Sequence, residues 1–359
     1  VNVETSTEDQ LAFMTDFKKT ISKIEGVGTS SKPPNHWVST GSLVLNKIIS
    51  GDFYKGIPQG RISAFVGPSG VGKSFLVGNV VKNAQDDGYF IIILDSENAL
   101  DDEYMVKIGV NVKSDKYSYF SVSSIQHVVK IISDFVQGYK ATYGEDANAP
   151  KVLIALDSLD MLATDTELSN FKKGEQKGDQ GQKNKQLKAM LKTCVTAIKH
   201  INISIVVTAQ VYTATMDQKL QGEGTWIVGN AIRYSLSQII MLTKLKLKAE
   251  GGKVGQPADV TGIRMKCEGF KTRFTKPFQI STIEVPYDTG MDPYSGLLPV
   301  MVQMGIVTTK GGWNYIPGTD VKFRRTDFKD HVETLLNKMD DDVEFMAIPN
   351  DDQYIEDMS

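Results

Sequence analysis

The sequence predicts an α/β fold: a central, mostly parallel, twisted sheet flanked by helices, with a protruding N-terminal helix and a small C-terminal α/β appendage. Three observations predict it. Apolar runs at residues 62–66, 90–94, 152–156 and 204–208 alternate with stretches of helical character, as parallel strands joined by crossovers do. The first run enters Gly67-Pro68-Ser69-Gly70-Val71-Gly72-Lys73-Ser74 and leaves through a stretch at residues 75–81 that reads as a helix, giving strand, glycine-rich loop and helix in succession. Two later runs finish in carboxylates, at Asp95 and Asp157, which sets acid at strand tips.

Along the chain, Leu11, Phe13, Met14, Phe17, Ile21 and Ile24 recur at helical spacing over residues 7–24. A Gly/Ser/Pro-rich stretch at residues 26–35 follows, so residues 1–35 read as an oligomerisation helix on a tether. Residues 36–285 read as the sheet-bearing core, with further strands at 238–243 and 263–267. Phe53 and Tyr54 within it read as ordinary core residues. Residues 164–185 and 211–229 are polar and lack a clear period; long loops of that kind inside a compact domain are often functional. Residues 286–338 read as a small subdomain ending in a helix at about 327–338. Residues 339–359 carry eight acidic residues and no Lys or Arg, and read as a disordered tail.

Composition narrows the function classes. With 359 residues and 41% hydrophobic content, one large α/β domain plus an appendage can bury a full core. No apolar run approaches the ~20 residues of a membrane span. Residues 1–10 are acidic and polar, unlike a secretion signal. Cys194 and Cys267 stand far apart without metal-ligand spacing, which points to a reducing intracellular compartment. The net charge of −3 argues against a uniformly basic nucleic-acid binder, yet setting aside the tail's eight acidic charges leaves the first 338 residues at +5.

The loop from Gly67 to Ser74 matches GxxxxGK[ST] without substitution, so the chain is expected to bind a nucleoside triphosphate with Mg²⁺. Its glycines let backbone N–H groups wrap the phosphates, and the following helix adds its dipole. Gly67, Pro68, Ser69, Gly70, Val71 and Gly72 supply the cradle, Lys73 reaches the β- and γ-phosphates and Ser74 holds Mg²⁺. Asp157, ending a stiff apolar strand, orients the ion through its water shell. Glu97, just beyond Asp95, is the natural carboxylate to polarise an attacking water. Gln210 alone would be an ordinary polar strand end. Beside a γ-phosphate, its amide could report occupancy to the loop that follows.

Taken together, GPSGVGKS, Asp95-Ser96-Glu97-Asn98-Ala99-Leu100-Asp101, Leu156-Asp157-Ser158 and Gln210 resemble the RecA recombinases. Val38-Ser39-Thr40-Gly41-Ser42-Leu43 and Ile57-Pro58-Gln59-Gly60-Arg61-Ile62 extend the match. Asp288-Thr289-Gly290-Met291-Asp292-Pro293-Tyr294-Ser295-Gly296-Leu297-Leu298 and Gly311-Gly312-Trp313 resemble the phage UvsX-type branch, whereas Gln210 follows the bacterial pattern where that branch often has His. The resemblance spans roughly His36 to Trp313. It implies a RecA-like P-loop ATPase core using ATP and Mg²⁺, with Glu97 activating water and Gln210 sensing nucleotide. It further implies that Asp101 and Tyr104 contact adenine, that Tyr287 joins the nucleotide-binding set, and that Lys271 and Arg273 reach a neighbouring subunit's triphosphate as an arginine finger does. The implied partners are single- and double-stranded DNA, further copies in a helical filament, and single-strand-binding and mediator proteins, in the cytoplasm of a bacterial host. A RecA-fold hexameric helicase or a regulatory ATP switch would share the same nucleotide residues.

Lys172, Lys173, Lys177, Lys183, Lys185, Lys188 and Lys192 crowd the first polar segment and the helix after it. Lys185, Lys188 and Lys192 fall on one helical face, where a row of ammonium groups can follow a phosphate backbone. The second segment is not basic. There Met216 and Leu220 are candidates to wedge between bases, with backbone N–H groups near Gly229 and Asn230 touching DNA. No base-reading helix stands out, so binding is expected to be independent of sequence.

Overall fold

The computed structural model describes residues 7–24, 33–175, 181–213, 226–248 and 260–341, in two compact units, Val1–Asn35 and His36–Ser359. The first unit holds α1 (Thr7–Ile21), where Leu11, Phe13, Met14 and Phe17 are exposed and the Phe13 and Phe17 rings lie 6.4 Å apart. The helix ends at Ile21 instead of Ile24. Beyond it Lys23 and Ile24 donate to carbonyls three residues back, a tightened terminal turn.

The second unit opens with β1 (Trp37–Val38), α2 (Leu43–Ser50), β2 (Ile57–Pro58) and β3 (Ile62–Val66). There follow α3 (Lys73–Asp86), β4 (Phe90–Asp95), α4 (Asp102–Ile108), β5 (Tyr117–Ser121), α5 (Ile125–Tyr143) and β6 (Val152–Asp157). Next come α6 (Asp165–Lys172), α7 (Gln182–Ala197), β7 (Ile203–Ala209), β8 (Val211–Thr213), β9 (Trp226–Val228) and α8 (Asn230–Ser235). The long strands β10 (Gln238–Lys248), β11 (Val260–Lys271) and β12 (Ile280–Pro286) precede α9 (Leu297–Gln303), β13 (Thr308–Lys310), β14 (Trp313–Tyr315), β15 (Lys322–Phe323), a 3₁₀ turn at Arg325–His331 and α10 (Val332–Asp341).

Eight of these strands form one sheet in the order β12-β11-β10-β3-β7-β6-β4-β5. From β10 to β5 all neighbours are parallel, while β11 and β12 run antiparallel at the other edge. The apolar runs explain this. Strands β3, β6 and β7 are buried on both faces, as parallel strands covered by crossover helices must be. Alternate residues divide between two cores: Phe65, Ile91, Ile93, Leu153 and Val206 pack with α2 and α3, whereas Ala64, Val66, Leu94, Ile154 and Val207 pack with α5 and α7. Leu297, Met301, Phe323 and Leu335 join the first core, which ties the C-terminal elements to that face. Among the described residues no helix is long and apolar enough to cross a membrane.

Register sets the strand ends level. Asp95 pairs opposite Asp157, Leu156 opposite Val207, and Val66 opposite Ala209. The chain leaves β3 for α3 and returns at β4, passing over β7 and β6. The chain from β7 instead runs on to β10, on the other side of β3, and where neighbouring strands send the chain in opposite directions the loops after them open a crevice for ligand.

Several expectations change. The polar stretch 164–185 is not a continuous loop: Thr164 and Glu167 form a capping box that starts α6, and α7 begins at Gln182. The helix expected at 327–338 begins as the 3₁₀ turn and becomes α-helical only from Val332. Phe53 is buried, but Tyr54 is 54% exposed. Edge strands β5 and β12 lack a continuous apolar run, since a strand paired on one side need not be apolar throughout.

Gln238 fastens the start of β10 to this framework. Its Oε1 accepts the Ser63 hydroxyl at 2.6 Å and its Nε2 donates to the Ile49 carbonyl at 3.1 Å, all buried. Gln238→Ala is expected to cost about 2–3 kcal/mol, because it strands those polar groups away from water; equilibrium urea unfolding checks this.

Candidate active site

The loop between β3 and α3 has the shape its glycines permit. A Cβ on Gly67 would stand 2.5 Å from the Leu242 carbonyl, and Gly72, which caps α3, has φ +99°. Only glycine meets both demands at low cost. Lys73 is buried and its Nζ donates to the Gly67 and Pro68 carbonyls at 3.0 Å each, so the ammonium is folded over the loop. Burial lowers its pKa, while Glu97, Asp157 and Asp160 oppose that shift and Lys244 adds to it. Lys244 is itself at the loop, donating to the Gly70 carbonyl at 2.6 Å.

Asp157 ends β6 almost wholly buried. Its Oδ1 accepts the Thr208 hydroxyl, while its Oδ2 is buried without a hydrogen-bond partner. Burial raises its pKa; the Ser74 and Thr208 hydroxyls pull the other way, and Glu97 and Asp95 raise it further. An unmatched carboxylate oxygen beside the Ser74 hydroxyl suits a hard divalent cation that keeps part of its water shell. The residues present therefore fit Mg²⁺, with Ser74 and Asp157 to hold it.

Beside them, Asp95 organises the tip of β4. It accepts the Glu97 and Leu100 backbone N–H groups at 3.0 and 2.9 Å and the Tyr119 hydroxyl at 3.1 Å. Ser96 joins the tip of β6 by donating its hydroxyl to the Ser158 carbonyl at 2.7 Å and accepting the Ser158 N–H at 2.8 Å. The Ser158 hydroxyl donates to Glu97 Oε1 at 2.5 Å. Glu97 is otherwise exposed, so a charge-assisted bond holds it in reach of water.

Register thus brings Lys73, Ser74, Asp157, Glu97 and Gln210 to one end of the sheet. Tyr104 lies half-buried on the same side, its phenol pushed up to about 12 by burial and then by Asp157. Asp101 is the N-cap of α4 and accepts the Tyr104 N–H at 2.9 Å. Ser69 is exposed, Pro68 half-buried and Val71 fully buried under the loop.

Two expected residues stand apart. Lys271 pairs opposite Ile239, which lies beside Ala64 midway along β3, and its Nζ donates to the Arg233 carbonyl at 2.8 Å. Burial, Arg273 and Arg233 lower its pKa, and Arg273 adds to the lowering that burial imposes on Arg61, the residue before β3. Lys271 is therefore level with the middle of β3, about 10 Å along the strand direction from Gly67 at 3.3 Å per residue, and Arg273 lies past the end of β11, toward the start of β3. Tyr287 follows β12 on the sheet's outer strand, at the end of the sheet where the phosphate loop lies, and is 65% exposed.

On α7, Lys185, Lys188 and Lys192 are exposed on the face opposite buried Leu187, Met190, Leu191 and Cys194. Helix α7 packs against α8, at whose start Gly229 is half-buried and Asn230 exposed. Met216, Leu220 and Lys177 lie outside the described residues, as does the tail from residue 342. Cys194 and Cys267 are free and buried, and burial pushes their thiols up to about 11 and about 12.

Sequence reasoning assigned no role to Ser158, Asp160, Thr208 or Lys244. Ser158 and Thr208 left a signal, being hydroxyls at strand tips beside acid. Lys244 left only a position in an alternating strand.

The RecA N-terminal domain family matches residues 14–292. Protein RecA of Arthrobacter sp. (strain FB24) is 25% identical over 293 residues, covering 80% of this chain and 75% of that protein. Protein RecA of Aquifex aeolicus is 27% identical over 282 residues, covering 77% and 73%. That of Bordetella petrii is 24% identical over 301 residues, covering 82% and 76%.

Since Ser158 alone holds the Glu97 carboxylate among the described side-chain bonds, Ser158→Ala is expected to slow nucleoside-triphosphate turnover about tenfold, the kinetic worth of one charge-assisted bond. Nucleotide affinity should stay unchanged. Steady-state phosphate release and equilibrium binding measure the two.

Proposed function

The chain belongs to the RecA family, and from that premise we propose that it is an ATP-dependent homologous recombinase, which polymerises on single-stranded DNA, pairs it with homologous duplex and exchanges strands. The observation that carries this reading is the separation of charge along β3. The phosphate loop, Asp157 and Glu97 occupy one end, while Lys271 lies level with the strand's middle and Arg273 toward its start. Within one chain Lys271 is turned to the Arg233 carbonyl and Arg273 lies toward the start of β3, whereas an adjacent copy stacked end to end would present both cations to the loop. Nucleotide binding and assembly then become one linked event.

In this reading Lys73 and the loop's backbone N–H groups bind the triphosphate, and Ser74 and Asp157 hold Mg²⁺. Held by those two residues, Mg²⁺ would supply positive charge that offsets the charge of the phosphates. Asp101 and Tyr104 receive the adenine, with Tyr287 joining from the far edge of the sheet. Glu97, held by Ser158, takes a proton from the attacking water. Lys271 and Arg273 of the adjacent copy neutralise charge gathering on the γ-phosphoryl oxygens. Gln210 reads that oxygen and passes its presence to the second loop.

Lys185, Lys188 and Lys192 follow a phosphate backbone, with Gly229, Asn230 and Met216 completing the strand contacts. Base pairing supplies specificity while the protein grips the backbone. The exposed apolar stripe of α1 docks on the neighbouring copy. The acidic tail competes with DNA for basic surface or recruits single-strand-binding and mediator proteins. The motifs at Asp288–Leu298 and Gly311–Trp313 support a place in the phage UvsX-type branch, acting in the cytoplasm of a bacterial host.

Glu97→Gln is expected to retain ATP binding and filaments while turnover falls about 10²–10⁴-fold. Mixed with Arg273→Ala protein, it should regain activity, because some interfaces then pair an intact Glu97 with an intact Arg273. Mixtures no more active than either variant would refute the shared site. Replacing Lys185, Lys188 and Lys192 together by Ala should flatten the salt dependence of single-stranded DNA binding by about 2 in the log–log slope. Fluorescence anisotropy across a salt series measures this. Micrographs showing closed rings in place of helical filaments would favour a hexameric motor.

A further inference from the structure

One carboxylate near the nucleotide site has no part in the mechanism above. Asp160, in the turn after β6, is half-buried. Its Oδ2 accepts the backbone N–H of Gln210 at 2.5 Å, and its Oδ1 accepts the hydroxyl of Tyr212 at 3.3 Å. Its own carbonyl accepts the Lys183 ammonium at 2.5 Å. Across the site its charge and that of Lys73 attract. Asp160 thereby touches the strand end that leads into the second loop and the first turn of the helix bearing the basic row, within the field of the phosphate-loop lysine.

We propose that Asp160 is a positioning residue that couples the phosphate loop to both DNA-facing segments, its carboxylate bonded to the Gln210 N–H and the Tyr212 hydroxyl and its carbonyl to Lys183. This rests on the nucleotide- and DNA-binding reading above. The device is competition for one anion. While Lys73 lies over its own loop, Asp160 is attracted toward it. When Lys73 turns to a polyphosphate, Asp160 loses that attraction and is repelled by the same phosphate oxygens. Its remaining partners are then the Gln210 N–H, the Tyr212 hydroxyl and Lys183, which sets the loop start and the helix start in one pose. Partial burial strengthens this exchange, since water screens it weakly.

Asp160→Asn separates the contributions, because the amide oxygen still accepts from Gln210 while the charge is gone. Phosphate release from ATP is measured with and without single-stranded DNA, alongside binding of a fluorescent ATP analogue without DNA. The expected result is about a tenfold loss of the DNA-induced acceleration, within the usual range of coupling between sites. Analogue binding stays equal or tightens, since a repelling anion has been removed. Asp160→Glu should recover part of the acceleration. Full acceleration in Asp160→Asn overturns the proposal, and so does a parallel fall in both quantities, which marks a merely structural role. If Asp160→Asn does not fold, Tyr212→Phe, altered at a residue 59% exposed, should lose part of the acceleration with binding intact; full acceleration there is equally fatal. A wild-type protein whose turnover ignores DNA overturns the recombinase reading and this coupling together. A stimulated wild type beside an equally stimulated variant overturns the coupling alone.

Discussion

Parallel pairing of β3, β7, β6 and β4 in register brings their C-terminal ends level, and the candidate chemistry depends on that alignment. Each strand is too short and too buried to slip: a shift by one residue would turn its apolar set toward the wrong core. With the ends level, the phosphate loop, Gln210, Asp157 and Glu97 emerge side by side from strands that are far apart in the chain. The antiparallel strands β11 and β12 extend the sheet beyond β10 and carry Lys271 and Arg273 away from those ends.

Around this end of the sheet acid outnumbers base, with Lys73 and Lys244 set among Asp95, Glu97, Asp157 and Asp160. Lys73 is buried among Glu97, Asp157 and Asp160, and burial disfavours both its charged form and that of Asp157. Such a group of opposed charges is costly to desolvate and retains unmatched polar capacity, seen in Asp157 Oδ2. A site so arranged is suited to a ligand bringing both a cation and a polyanion, because both signs of charge then find partners. The hydroxyls of Ser158, Thr208 and Tyr119 do the positioning, each fixed to a carboxylate at a strand tip.

Much of this was legible from local pattern. The run from Gly67 to Ser74 combines residues whose backbone freedom and charge are individually interpretable, and the structure places them on a strand–loop–helix as expected. The long apolar runs ending at Asp95 and Asp157 proved to be buried parallel strands because continuous hydrophobicity reports burial on both faces. Lys185, Lys188 and Lys192 share an exposed face because helical spacing alone dictates it. Edge strands β5 and β12 escaped notice, since one-sided pairing relaxes the apolar requirement. Helix α6 was hidden by polar composition, although Thr164 and Glu167 carried its start signal.

What the sequence determined by itself, then, was most of the inventory: the buried strands, the loop with the phosphate-binding pattern, and which side chains carry charge. Only tertiary structure decided who meets whom. Ser158 on Glu97, Asp160 on Gln210 and Tyr212, and Lys244 on the phosphate loop join residues from separate strands, so no local period announces them. The same holds for the distance between Arg273 and the loop, which is set by sheet order and strand direction. The physical reason is that backbone preferences and hydrophobic periodicity act over a few residues, whereas contacts across a sheet arise from register and topology after the chain has folded.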